Sequence, residues 1–400
     1  MAGNVFLYVY YVLVGRIVGV EGYGVITALL STVLLFSVPA IVAATVIAKL
    51  AADLFGAGDE ARLRRLADVV DYWAWSIGAV LFGAALVFSA SLARFFHLSS
   101  SVPVIVAGAT LALSVVVTAE RAVLQGQHRF TAFSVSYIID SIGRATLGPL
   151  GAIVLGTSGA IAGITASLIV TAAFNAVAIR RKMAAKPEQL RLPLRPFAKS
   201  ALQIGATMLA INGMLFYDTI LVRHFFAGEV AGLYSAAALV ARAFYAGVGF
   251  IPIVLLPHAT RRASRGEPSK HLLFGALAVV AIAAAFAVGV SVIDPSLLVR
   301  SIAGPAFSAA APFVLPYVVA LVALATANTI ANYKIGLGHY EHALPLVAIA
   351  IAQITVVVLR HNSIHDVLMT ILAGDACALA VTLYRVGAPA ATILRAEPTA

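Results

Sequence analysis

The chain has 400 residues, of which 62% are hydrophobic and only 11% charged, and its mean hydropathy is +0.99. Soluble domains carry charge on roughly a quarter of their residues, so this composition excludes an ordinary soluble fold and points to a membrane protein. The net charge of +10 lies in short segments between apolar runs, which is the pattern of membrane topology and argues against nucleic acid as a partner.

A helix needs about 20 apolar residues to cross a bilayer. Twelve runs of that kind follow in order, at about 3–15, 24–48, 73–95, 102–122, 132–155, 159–179, 200–222, 230–257, 272–293, 311–333, 343–359 and 366–386. They are rich in Ala, Leu and Val and show no sustained alternation, so they predict an all-α polytopic membrane protein and not a β-barrel. The first run is barely long enough to cross. The N-terminus has no basic stretch and no A-x-A site, so it reads as a first helix and not as a signal peptide. With both termini in the cytoplasm, 20 of the 27 Lys and Arg fall in inside segments, Arg121 among them. Five (Arg16, Arg94, Arg223, Arg300 and Arg360) fall outside, and Arg144 and Arg242 lie within spans. That bias fixes the orientation.

The stretch VEGYGVITALL at 20–30 is echoed by EVAGLYSAAAL at 229–239. Glu21 matches Glu229, Gly24 matches Gly232 and Thr27 matches Ser235, all at an offset of 208 residues. Gly58-Asp59 and Gly266-Glu267 repeat at the same offset, and Arg16 pairs with Arg223 after one gap. The expectation is two parallel six-helix lobes, residues 1–182 and 199–400, joined by a basic cytoplasmic linker at 183–198 and enclosing a central cavity. The segment DEARLRRLADVV (59–70) predicts a short interfacial helix capped by Asp59, with Leu63, Leu66 and Val70 on one face.

Charge at membrane depth is the strongest functional signal, because it normally faces a partner or a cavity. Asp140 and Arg144 stand one turn apart near the middle of the fifth run. They either neutralise each other at a helix interface or leave Arg144 to attract an anion, with Arg242 at similar depth in the other half. Arg16 and Arg223 sit at outer helix ends, where snorkelling to headgroups competes with a substrate role. Asp218 and Asp375 are acids that could take up a coupling Na+ or H+, or simply hold a hydrogen bond. Asn175, Asn212 and Asn328 read as interhelical glue. Pro39, Pro149, Pro252 and Pro257 permit bending, GAIAG (159–163) indicates close packing, and Cys377 reads as a small packing residue. The histidines of HYEH (339–342) and HNSIHD (361–366) lack the support a metal site needs. No phosphate-binding loop or catalytic triad is present, and the external loops are short, so an enzyme is not expected.

LVGRIVGVEGYGVITALL at 13–30, and AGLYSAAALVARAF at 231–244 followed by Pro257 and RRASRG, resemble polysaccharide-exporting flippases of the multidrug/oligosaccharidyl-lipid/polysaccharide superfamily. The likeness runs over residues 10 to 385. It implies alternating access in the cytoplasmic (inner) membrane of a prokaryote, with undecaprenyl-diphosphate-linked oligosaccharide repeat units as cargo. Arg144 and Arg242 would hold the diphosphate, with Arg16 and Arg223 as further substrate-binding candidates. Asp140, Asp218 and Asp375 would be the ion-coupling candidates; no other cofactor and no metal are implied. Membrane lipids and polysaccharide-assembly proteins are the expected partners. Twelve spans lack the extra pair of helices that lipid II flippases carry. The competing reading is a cation-coupled multidrug antiporter of the same superfamily, which calls for an acidic, aromatic cavity.

Overall fold

The computed structural model describes residues 2–181 and 195–384. The linker expected at 183–198 therefore lies largely outside the described residues. Within them the chain is helical throughout and contains no strand. In chain order the helices are α1 (Ala2–Gly56), α2 (Glu60–Val87), α3 (Ser89–Phe95), α4 (Val102–Gly126), α5 (Phe130–Arg180), α6 (Arg195–Phe225) and α7 (Gly228–Val248). They continue with α8 (Phe250–Ser264), α9 (Lys270–Ile293), α10 (Pro295–Ile302), α11 (Ala311–Gly336), α12 (Ala343–Leu359) and α13 (Ile364–Leu383).

Nine helical stretches among the described residues are long and apolar enough to cross a bilayer. Two of these carry two predicted runs each. α1 breaks at Gly19 (φ 72°) and α5 breaks at Leu155 and Gly156 (φ 58°). A left-handed φ is costly for any residue with a Cβ, so glycine is what the chain can place at the α5 break. With the short apolar α12, all twelve runs are accounted for in an all-helical, multi-pass membrane protein. The lipid-facing character is plain on α9, where Phe274, Ile282, Phe286 and Ile293 are all exposed.

Three local expectations need correction. Asp59 does cap a helix, accepting from the Arg62 backbone N–H at 3.0 Å, but no separate interfacial helix exists. α2 runs unbroken from Glu60 to Val87, with Leu63 and Leu66 buried beside Ala51 of α1. Pro252, expected to bend the run at 230–257, instead follows a break in it. It lies in the first turn of α8, because its ring crowds the carbonyl four residues back, at Val248, where α7 ends. Cys377 is exposed on α13 and does not serve as a buried packing residue.

The described chain forms two compact units. The first contains residues up to 205 together with 219–235 and 302–306; the second contains 206–218, 236–301 and the rest from 307 onward. The core of the first unit gathers Tyr10, Val14, Ile26, Phe96, Val116, Ile161 and Leu168. GAIAG packs as expected, with Gly159 set against the carbonyl of Gly151 across the α5 break. In the second unit Leu255, Ala259 and Leu273 pack on Ile330 and Tyr333 of α11.

Within the first unit the sequence echo acquires a physical meaning. Gly24 of α1 backs directly onto Gly232 of α7, so closely that a Cβ on Gly24 would lie 2.9 Å from the Gly232 nitrogen. One turn on, Thr27 Oγ1 donates to Ser235 Oγ at 2.7 Å. Repeat-equivalent residues thus touch each other, as they do where a two-fold relation brings two copies of one surface together.

Candidate functional site

Asp140 is 5% exposed and lies between two guanidinium groups. Arg144, one turn further along α5, donates through Nε to Oδ1 at 2.6 Å and through a terminal nitrogen to Oδ2 at 3.1 Å. Arg121, reaching across from α4, donates to the same Oδ2 at 3.2 Å. It is further fixed by the Ser136 hydroxyl at 2.9 Å and the Ser136 carbonyl at 3.0 Å, and it stacks 3.9 Å from the Tyr137 ring centroid. Ser167 of α5 donates to the Asp140 carbonyl at 2.8 Å. The group as a whole carries one carboxylate and two cations.

The two arginines differ in freedom. Arg121 is 11% exposed at its side chain and has four contacts from three residues; Arg144 is 26% exposed and, among the described residues, is hydrogen-bonded to Asp140 alone. The sequence reading treated Arg121 as a cytoplasmic topology charge. That is corrected here: Arg121 is buried within α4 and belongs to the charged cluster. The signal available beforehand was its position at the very end of an apolar run, which alone does not separate a loop cation from a last-turn cation facing inward.

In the second unit Arg242 of α7 donates to Asp218 Oδ1 at 2.7 Å and to the Tyr317 hydroxyl at 3.2 Å. Tyr317 in turn donates to Asp218 Oδ2, and the Arg242 guanidinium sits over the Phe216 ring. Asp375 of α13 is fully buried. Gln353 of α12 donates to its Oδ1 at 3.1 Å, while its Oδ2 has no hydrogen-bond partner among the described residues.

Arg16 and Arg223, equivalent in the repeat, have different surroundings and join neither cluster. Arg16 is exposed. Arg223 is 3% exposed and does not snorkel outward: it donates to the Phe96 carbonyl at 3.0 Å and lies 3.8 Å from Glu21. Of the amides, Asn175 bridges helices by donating to Glu120 at 3.2 Å, and Asn328 hydrogen-bonds Tyr245. Asn212 does not bridge helices, because its amide returns to the Met208 carbonyl of its own helix at 2.8 Å.

No family model matches this sequence, and no curated protein matches it. Solved structures do. The chain is similar to an inward-facing multidrug resistance MATE family transporter of the MOP superfamily, with a TM-score of 0.78 and 14% identity over 94% of this chain and 92% of that one. It is similar to the lipid II flippase MurJ in an inward closed conformation, with a TM-score of 0.72 and 13% identity over 96% of this chain and 86% of that one. It is also similar to a MOP superfamily transporter from Pyrococcus furiosus described as having a binding pocket of reversed polarity, at a TM-score of 0.66, 14% identity and 95% and 91% coverage. At these identities the likeness is one of fold.

Proposed function

We propose that the protein is a transporter that flips polyprenyl-diphosphate-linked oligosaccharide units across the cytoplasmic membrane by alternating access, with no enzymatic step of its own. The observation that carries this reading is the Arg121–Asp140–Arg144 cluster, in which one carboxylate is shared by two guanidiniums. A buried carboxylate stripped of its partner costs about 3–5 kcal/mol. Here an incoming diphosphate can draw Arg144 away while Arg121 keeps Asp140 neutralised, so that cost is avoided. Arginine suits the task because its planar fork offers two parallel hydrogen bonds to a phosphate. Arg242, held by Asp218 and Tyr317 in the second unit, is the further candidate for the diphosphate. The fold likeness to a lipid II flippase supports a lipid-linked cargo, and polysaccharide-assembly proteins are its natural partners.

Asp140, held by two arginines, is a poor site for a coupling ion. Asp375, with one carboxylate oxygen lacking a partner, is a better one for Na+ or H+. That same acid favours a second reading, a cation-coupled multidrug antiporter, as does the likeness to a multidrug transporter.

The two readings separate in a thermal-shift experiment on the purified protein in detergent. A short-chain polyprenyl-diphosphate sugar and a lipophilic organic cation are titrated in parallel, with Arg144→Ala beside the wild type. A ligand at 100 times its Kd stabilises by about 2.7 kcal/mol. Stabilisation by the diphosphate that disappears in Arg144→Ala supports the flippase. Stabilisation by the cation alone, indifferent to Arg144, overturns it in favour of the antiporter.

A further inference from the structure

A second charged site lies in the first unit, lined by residues other than those of the Asp140 cluster. The first turns of α2 and the last turns of α4 and α5 enclose a cavity of about 300 Å³ whose polar wall is made by Arg64, Asp68, Asp71, Glu120 and Arg180. Asp68 and Arg180 are exposed at its rim, whereas Glu120 is 4% exposed at its wall. Arg180 and Asp71 form an ion pair at 3.2 Å. One oxygen of Glu120 accepts from Asn175 at 3.2 Å, and the carboxylate lines the cavity. An oxygen that a largely buried carboxylate turns into a cavity is open to a donor from within it.

The depth of the cavity identifies the surroundings from which that donor comes. Tyr72, Trp73 and Trp75 follow directly on α2 and are 66%, 59% and 49% exposed. Amphipathic rings exposed in this way mark the level of lipid headgroups in a membrane-spanning helix. The wall mixes three carboxylates with two guanidiniums. A simple anion meets the carboxylates and a simple cation meets the arginines. A molecule with an ammonium and a phosphate a few ångströms apart satisfies both.

We infer that this cavity is a binding site for the zwitterionic headgroup of an aminophospholipid, with the primary ammonium donating to Glu120 and to Asp68 or Asp71, and the phosphate received by Arg64 and Arg180. The ammonium must carry N–H groups if it is to donate to the cavity-facing oxygen of Glu120; a quaternary choline offers none. Arginine is again the fitting partner for the phosphate. The site is independent of what the protein transports.

The test uses the full-length protein delipidated in detergent, titrated with phosphatidylethanolamine, phosphatidylcholine or phosphatidylglycerol, with thermal stability and native mass spectrometry as readouts. Soluble glycerophosphoethanolamine is run as a fourth arm to separate a lipid from a free headgroup. The expected result is a preference of at least about tenfold for phosphatidylethanolamine over phosphatidylcholine, about 1.4 kcal/mol, lost in Glu120→Gln. Should that variant fold poorly, Asp68→Asn and Arg180→Ala on the exposed rim carry the same comparison. Equal binding of all three lipids, or a preference unchanged in every variant, overturns the inference. So does protection by the soluble headgroup with none by the lipid. The flippase reading stands or falls separately on Arg144, which is not part of this wall.

Discussion

Replacing Asp140 by asparagine keeps the shape of the side chain and removes the charge between two guanidiniums. Three contacts of 2.6, 3.1 and 3.2 Å change from charge-assisted to neutral, or are lost. Removing one partner from a buried pair costs about 3–5 kcal/mol in soluble proteins. In membranes the unfolded reference also finds partners, and interhelical polar contacts fall nearer about 0.6–2 kcal/mol each. Between these limits we expect Asp140→Asn to cost about 2–4 kcal/mol. Arg121→Met removes the bonds joining α4 to α5 and should cost about 1–2 kcal/mol. Arg144→Met removes only an i,i+4 pair within one helix and leaves Arg121 on Asp140, so its cost should stay near about 0.5 kcal/mol. Equilibrium unfolding by SDS titration in mixed micelles gives the three values. The order Asp140→Asn, Arg121→Met, Arg144→Met follows from the geometry. If Arg144→Met costs as much as Arg121→Met, Arg144 is a structural element and the assignment of Arg144 as the releasable group is wrong.

Gly24→Val should separate α1 from α7, because even its Cβ meets the Gly232 backbone at 2.9 Å; a loss of at least about 1–3 kcal/mol in the same titration is expected. In a Cys377→Ala background, Thr27→Cys with Ser235→Cys should form a disulfide on mild oxidation, since the two hydroxyls stand 2.7 Å apart; a thiol-labelling assay that finds both cysteines free would contradict the packing. His342, at the turn before α12, is 1% exposed with neither ring nitrogen hydrogen-bonded among the described residues, and burial, with Lys334 nearby, pushes it down to about 4. Because the unfolded imidazole binds a proton first, the contribution of His342 to stability is intact above its ordinary value of about 6.5 and is lost progressively as pH falls from there towards 4. His342→Phe should therefore flatten the stability profile between pH 6.5 and 4, and an unchanged profile would count against the buried neutral histidine.

Most of the fold was legible because hydropathy and glycine placement are properties of the chain itself. The twelve apolar runs all fall on helices among the described residues, and the breaks within α1 and α5 fall at Gly19 and Gly156, where a left-handed backbone is cheap. What escaped were effects that depend on neighbours. The amphipathic start of α2 looked like an interfacial helix, because nothing in residues 59–70 reveals that Leu63 and Leu66 find Ala51 to pack against. The break before α8 was carried by Pro252 acting on a carbonyl four residues back, not by the proline's own position.

The charged clusters show a different limit. At the offset of 208 residues that aligns Gly24 with Gly232, Asp140 falls on Ala348, Arg144 on Ala352, Asp218 on Tyr10 and Arg242 on Leu34. The repeat therefore preserves the contact surface of α1 and α7 but none of the charges at membrane depth. A duplication that served packing alone would leave both copies apolar at these positions, since a charge there costs about 2.5–3.5 kcal/mol on insertion scales. Each unit instead carries its own cluster, with two arginines on one acid in the first and a tyrosine completing the pair in the second. On the proposed function, the asymmetry assigns the two units different tasks on one scaffold: a surplus cation to exchange partners in the first, and an acid, Asp375, to take a coupling ion in the second.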